Sequence, residues 1–97
     1  MIKMVCKVDQ PVHIGEGITV TPTDIDEKSV RLIAKGRTLG GADDGAAFEK
    51  VLELSRNQST NLGPMIAVAV LEVLGDKVRL GVSAPANLTV TAGQAKP

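Results

Sequence analysis

The chain has 97 residues, 43% of them apolar, and its eleven basic residues are balanced by eleven acidic ones. That length suits one domain around one core, and the zero net charge excludes the global basic field of a strongly non-specific nucleic-acid binder. One Phe, no Tyr and no Trp leave almost no aromatic face on which a base can stack. Cys6 is the only cysteine, which excludes an intrachain disulfide and fits a reducing cytoplasm. Lys3 and Lys7 interrupt the first apolar residues, so no signal peptide is read there. The longest apolar run, Met65 to Leu71, is too short to span a membrane.

In chain order, MIKMVCK (1–7) reads as a short strand and Gln10 to Ile14 as a second, ended by the turn Gly15-Glu16-Gly17. ITVTPTDI (18–25) sets Ile18, Val20 and Pro22 in alternation with three threonines, the period of a strand. Pro22 cannot donate to a ladder, which implies an edge position or a bulge. Asp26-Glu27-Lys28 reads as a hairpin turn and SVRLIAK (29–35) as the returning strand. The glycines of GRTLGGADDG (36–45) match no phosphate-loop spacing and read as linker. AAFEKVLELSRNQ (46–58) then predicts a helix, because Ala47, Phe48, Val51, Leu52 and Ser55 fall on one face, with Asp43 or Asp44 as N-cap and Asn61, Gly63 and Pro64 closing the segment. MIAVAVLEV (65–73) and KVRLGVSAP (77–85) form a second hairpin about Gly75-Asp76, NLTVT (87–91) is a last strand, and AGQAKP is a frayed tail.

A displacement of 48 residues lays 15–37 on 63–85 without a gap, with Gly15/Gly63, Ile18/Ile66, Val20/Val68, Val30/Val78, Arg31/Arg79 and Leu32/Leu80 identical. A hairpin recurring in so short a chain implies internal pseudo-two-fold symmetry. GDKVRLGVSAP (75–85) resembles the most recognisable stretch of the carbon storage regulator family, CsrA/RsmA, a turn followed by V-R-[IL]-G-[VI]-x-A-P. Residues 1–35 resemble that family's N-terminus in order and length. The resemblance implies a mainly all-β fold in one domain, a tandem CsrA-like barrel or sandwich. Its parts are a first copy at 1–37, a helical insert at 38–61, a second copy at 62–92 and a tail at 93–97.

Members of the family are homodimers with interleaved strands, in which the first strand of one protomer and the fifth of the other form a basic edge that grips a GGA-containing mRNA loop. By that resemblance this chain offers one such edge, from 1–7 and 87–91, with the helix capping the other end. The residues implied for RNA are Lys3, Met4, Cys6 and Lys7, with the backbone of Leu88, Thr89 and Val90. The chain departs from the family where its arginines stand. Cys6 occupies the place of one in the Leu-x-Arg-Arg pattern, and Ala92 that of another in the His-Arg-Glu-Glu pattern. A bidentate arginine contact is worth roughly 1–3 kcal/mol, so losing two removes about 2–6 kcal/mol, or about thirtyfold to ten-thousandfold in affinity. Lys3, Lys7 and Lys96 restore charge rather than base reading.

The competing expectation is a protein-interaction module that kept the fold and lost the RNA site, pairing with or antagonising another regulator. The chain is expected to be a monomeric pseudo-dimer or a homodimer. His13, the only histidine, has no second ligand or triad pattern nearby, so no catalytic residue, metal or cofactor is expected. Arg31 and Arg79, at equivalent hairpin positions, read either as a symmetric basic patch or as a solvated face or ion pairs with Asp24, Glu27 or Asp76.

Overall fold

The computed structural model describes residues 1–15, 17–37, 45–62 and 65–93, and every regular element among them is a strand. In chain order these are β1 (Ile2–Lys7), β2 (Val12–Ile14), β3 (Ile18–Ile25), β4 (Ser29–Arg37), β5 (Ala47–Ser55), β6 (Ser59–Asn61), β7 (Ala67–Leu74), β8 (Lys77–Ser83) and β9 (Val90–Ala92). They form two antiparallel sheets, ordered β1-β8-β7-β6 and β5-β4-β3-β2-β9. Each hairpin follows from alternation: Ile18, Val20 and Pro22 turn inward from β3, and Val78, Leu80 and Val82 from β8. Gly75 takes the left-handed conformation that the β7–β8 turn requires (φ 69°).

The helix expected at 46–58 is absent. Ala47–Ser55 is a strand paired along its whole length with β4, from Ala47 opposite Arg37 to Ser55 opposite Ser29. Phe48 and Leu52 satisfy period two as well as period 3.6, Leu54 fits period two alone, and only the exposed Lys50 breaks the inward series. The slot beside β4 decides between the two periods, because a packed ladder outweighs the few tenths of a kcal/mol per residue by which Ala, Glu, Lys and Leu favour helix. The proposed caps Asp43 and Asp44, most of the linker, Glu16 of the first turn, the Gly63-Pro64 stop and the tail from residue 94 lie outside the described residues.

The pairing repeats at a spacing of 48 residues. In the β3–β4 ladder Val20 faces Ala34 and Pro22 faces Leu32, with a register shift before Asp24; in β7–β8, Val68 faces Val82 and Val70 faces Leu80, with the shift before Glu72. The β-bulge implied by Pro22 is therefore present, and it recurs where no proline stands. Pro22 lies past the end of β2, where its carbonyl accepts from Asp9 N–H at 2.8 Å. At the matching place Val70 accepts from Asn57 N–H (2.7 Å) and also donates to Gln58 C=O (3.0 Å), the bond that proline cannot make.

The edge strands cross over. Met4 of β1 faces Leu80 of β8, whereas Leu52 of β5 faces Leu32 of β4, so each hairpin receives its outer neighbour from the other half of the chain. The core lies between the sheets and follows the same spacing: Cys6, Ile14, Ile18, Val20, Val30, Leu32 and Ala34 are buried, and so are Leu54, Leu62, Ile66, Val68, Val78, Leu80 and Val82. Fully burying each Val, Leu or Ile contributes roughly 1.5–3 kcal/mol, which lets a core without aromatic residues suffice.

Candidate nucleic-acid interface

At one end of the molecule β1, the last strand of its sheet, lies against β9, the last strand of the other. Residues 1–7 and the segment that ends in β9 are thus brought together. Alternation decides what β1 presents. Lys3, Val5 and Lys7 are exposed, Met4 is half-buried against the core, and Cys6 is fully buried opposite Val78. Desolvation in that setting pushes the Cys6 thiol up from its ordinary value. Cys6 therefore belongs to the core and not to the edge, which corrects its expected place among the RNA contacts.

The backbone of the second segment is largely committed. Leu88 N–H donates to Pro85 C=O (3.0 Å), and Thr89 C=O accepts from Gly15 N–H (2.7 Å). Val90 pairs with Ile14 of β2. The expected offer of Leu88, Thr89 and Val90 backbone groups to a ligand is met at those atoms by the protein itself. What β9 exposes is Thr91 and Ala92. Gly93 is tied to the first half, its N–H donating to Pro11 C=O and its own carbonyl accepting from Gln10 Nε2 at 3.0 Å.

Charge gathers instead on β1 and its neighbour β8. Lys7 stands directly opposite Lys77, and Arg79 stands opposite Val5, between Lys3 and Lys7 in register. All four cations are exposed. Like charges facing each other across a ladder are destabilising, which marks the Lys7–Lys77 pair as a place suited to an anion. The only carboxylate bonded to this group among the described residues is Glu72, 3.3 Å from Arg79. Lys77 is the member that motif matching leaves out, although alternation in KVRLG sets it on the face of Arg79. The second hairpin arginine, Arg31, lies 4.0 Å from Glu53 of β5. Both arginines are thus ion-paired, but with Glu53 and Glu72 rather than with Asp24, Glu27 or Asp76.

Other surfaces are less convergent. His13 lies on the outer face of β2 with Nδ1 3.4 Å from the Thr19 hydroxyl. A shallow depression of about 200 Å³ beside it is lined by Thr19, Thr21, Thr23, Ile33 and Lys35, with one cation. A cleft of about 420 Å³ between the hairpin turns mixes Glu27 with Lys28 and Arg56.

Two sheets that exchange their edge strands, with lysines gathered where β1 meets β8, define a class of small all-β protein with an anion-facing edge. Residues 51–93 match the CsrA family, described as the global regulator protein family, so a little under half of the chain is similar to that family. The matched stretch runs from within β5 through β9. It therefore includes much of the segment expected to be an insert. No curated protein and no solved structure matches the chain.

Proposed function

We propose that this chain is a divergent post-transcriptional regulator that binds single-stranded, GGA-type loops of mRNA along β1 and the adjoining part of β8. In this reading it is a single-chain counterpart of a two-subunit assembly, its halves being residues 1–45 and 49–93. The observation that carries the proposal is the Lys7–Lys77 juxtaposition, to which no carboxylate is bonded among the described residues, flanked by Lys3 and Arg79 on the strand that the resemblance implies for RNA. Val5, exposed in the middle of β1, offers an apolar contact for an unstacked base. Lysines attract phosphate as point charges, so affinity rests on the RNA backbone more than on base edges.

Titration of a GGA hairpin and its scrambled counterpart over a salt series tests this. Three or four phosphate contacts predict a logarithmic salt slope of about −2 to −3 for single-stranded RNA, with the GGA hairpin bound more tightly. Lys7→Glu with Lys77→Glu should abolish binding. Equal weak binding to both RNAs, or binding unaffected by the two substitutions, overturns the proposal. The protein-interaction reading keeps one specific support: Thr91 and Ala92 stand exposed where the family carries its base-reading side chains. Capture of a protein from extract that survives nuclease treatment, by a chain that binds neither RNA, supports that second reading.

A further inference from the structure

Two of the four terminal strands among the described residues, β1 and β5, carry outward side chains that are complementary to each other. β1 and β5 are the terminal strands of different sheets, and among the described residues neither carries a further ladder on its outer rim. On the outward face β1 presents Lys3, Val5 and Lys7, and β5 presents Glu49, Val51 and Glu53, all exposed. The spacing is the same on both: a valine flanked two residues away on each side by one sign of charge. Val5 is 42% exposed and Val51 64%, so each edge offers one apolar side chain between its two charges.

We infer that the chain associates head to tail with a second copy of itself, β1 of one molecule pairing antiparallel with β5 of the next. The register that sets Val5 opposite Val51 sets Lys3 opposite Glu53 and Lys7 opposite Glu49. It sets odd residues against odd, so the side chains that meet lie on the same face. On the inner face the same register brings Met4 to Leu52, both partly buried against their own cores, and Ile2 (45% exposed) to Leu54. Apolar residues thus meet at two inner positions of the junction, while a third sets the exposed Lys50 beside Cys6. No such match exists for β5 with another β5, where a pairing centred on Val51 would oppose Glu49 to Glu53.

β1 and β5 end different sheets, so this contact is heterologous. It leaves a free β1 at one end of the pair and a free β5 at the other, and it does not close at two. Each exposed ion pair contributes little, and the strand-to-strand contact is small, so association belongs to high concentration and low salt. The inference stands without the RNA reading. It competes with a plainer role for Lys3 and Lys7, charges that blunt an edge against pairing.

The test is sedimentation velocity of the full chain from about 10 μM to about 1 mM, with far-UV circular dichroism as a check on folding. The expected result is a weight-average mass that climbs past the dimer value in the wild type and falls back with salt. Lys3→Glu with Lys7→Glu, and separately Glu49→Lys with Glu53→Lys, should each lose the climb, since each leaves two edges of one sign. Mixing these two variants, or combining all four substitutions in one chain, should restore it. A wild type that stays monomeric, a mass that stops at the dimer, or two-substitution variants that associate as well as the wild type each overturn the inference. So does a mixture that fails to regain the mass.

Discussion

Cys6 and Lys7 are adjacent in sequence and opposite in fate, because a strand turns successive side chains to opposite faces. The thiol is sealed opposite Val78 while the ammonium meets solvent and Lys77. An arginine at position 6 would have to carry its charge into that core, so that replacement alone would not set a cation on the open edge. Burial also gives Cys6 a pH signature. Its folded value is raised, so above about pH 8.5 the unfolded thiol ionises while the folded one keeps its proton. The stability it contributes is present below that pH and is lost as pH rises through the folded value. Urea midpoints at pH 7.5 and 9.5 should therefore fall further in the wild type than in Cys6→Ala.

Gly36 is constrained from another direction. Its φ of 149° is one that side chains rarely adopt, and an added Cβ would overlap the Gly17 carbonyl oxygen and sit 2.8 Å from Ile18 Cα. Both contacts are backbone and cannot swing aside. Gly36→Ala should cost about 2–4 kcal/mol in chemical denaturation, from conformational strain together with overpacking.

The connections after β1 and β5 are the same device built from different sequence. Asp9 and Asn57 both take positive φ (67° and 69°), the conformation that aspartate and asparagine tolerate best among residues with side chains. One residue on, Gln10 Oε1 accepts from Lys7 N–H at 3.0 Å and Gln58 Oε1 accepts from Ser55 N–H at 2.8 Å. Gln10 alone also reaches Gly93 C=O. Truncation to alanine should cost roughly 0.5–1.5 kcal/mol for Gln58 and about twice that for Gln10, as one or two hydrogen bonds are lost. Thermal unfolding of the two variants checks the order.

These elements also show what the sequence discloses. β3 was readable to the residue, since ITVTPTDI alternates cleanly and its proline marks the bulge. The outward faces of Lys3 and Lys7 follow from the same rule. β5 was not readable, because its apolar residues serve two periods and its strand state depends on β4, which is supplied by distant chain. Nor did the likeness between 1–14 and 49–62 stand out, since it is carried by backbone conformation at Asp9 and Asn57 more than by identical residues. The bonds that occupy the backbone of Leu88 and Thr89 come from Pro85 and Gly15 and leave no trace in local pattern.

At the scale of the molecule, neither half has a sheet of its own. The β8 hairpin takes β1, the β4 hairpin takes β5, and β9 closes on β2. Loss of either edge exposes the one shared core, so both sheets should melt in a single transition with equal calorimetric and van't Hoff enthalpies. Two resolved steps in calorimetry would show that the halves are energetically separate. Pairing over such separations also predicts refolding on the millisecond-to-second scale of long-range β proteins, which stopped-flow mixing measures.

The exchange of edge strands also sets an order of events at the ribosome. By the time β5 has emerged, the sheet running from β5 to β2 has everything but β9, whereas β1, made far earlier, has no neighbour until β8 is synthesised. Met4 and its partner Leu80 are 76 positions apart, a wait of roughly 4–15 s at ordinary elongation rates of about 5–20 residues per second. Throughout that interval the nascent chain displays an unsatisfied strand carrying Met4 and Cys6. Translation speed over the whole stretch between the codons for β1 and β8 therefore governs how long the newborn protein is open to chaperones and to its neighbours on the same polysome.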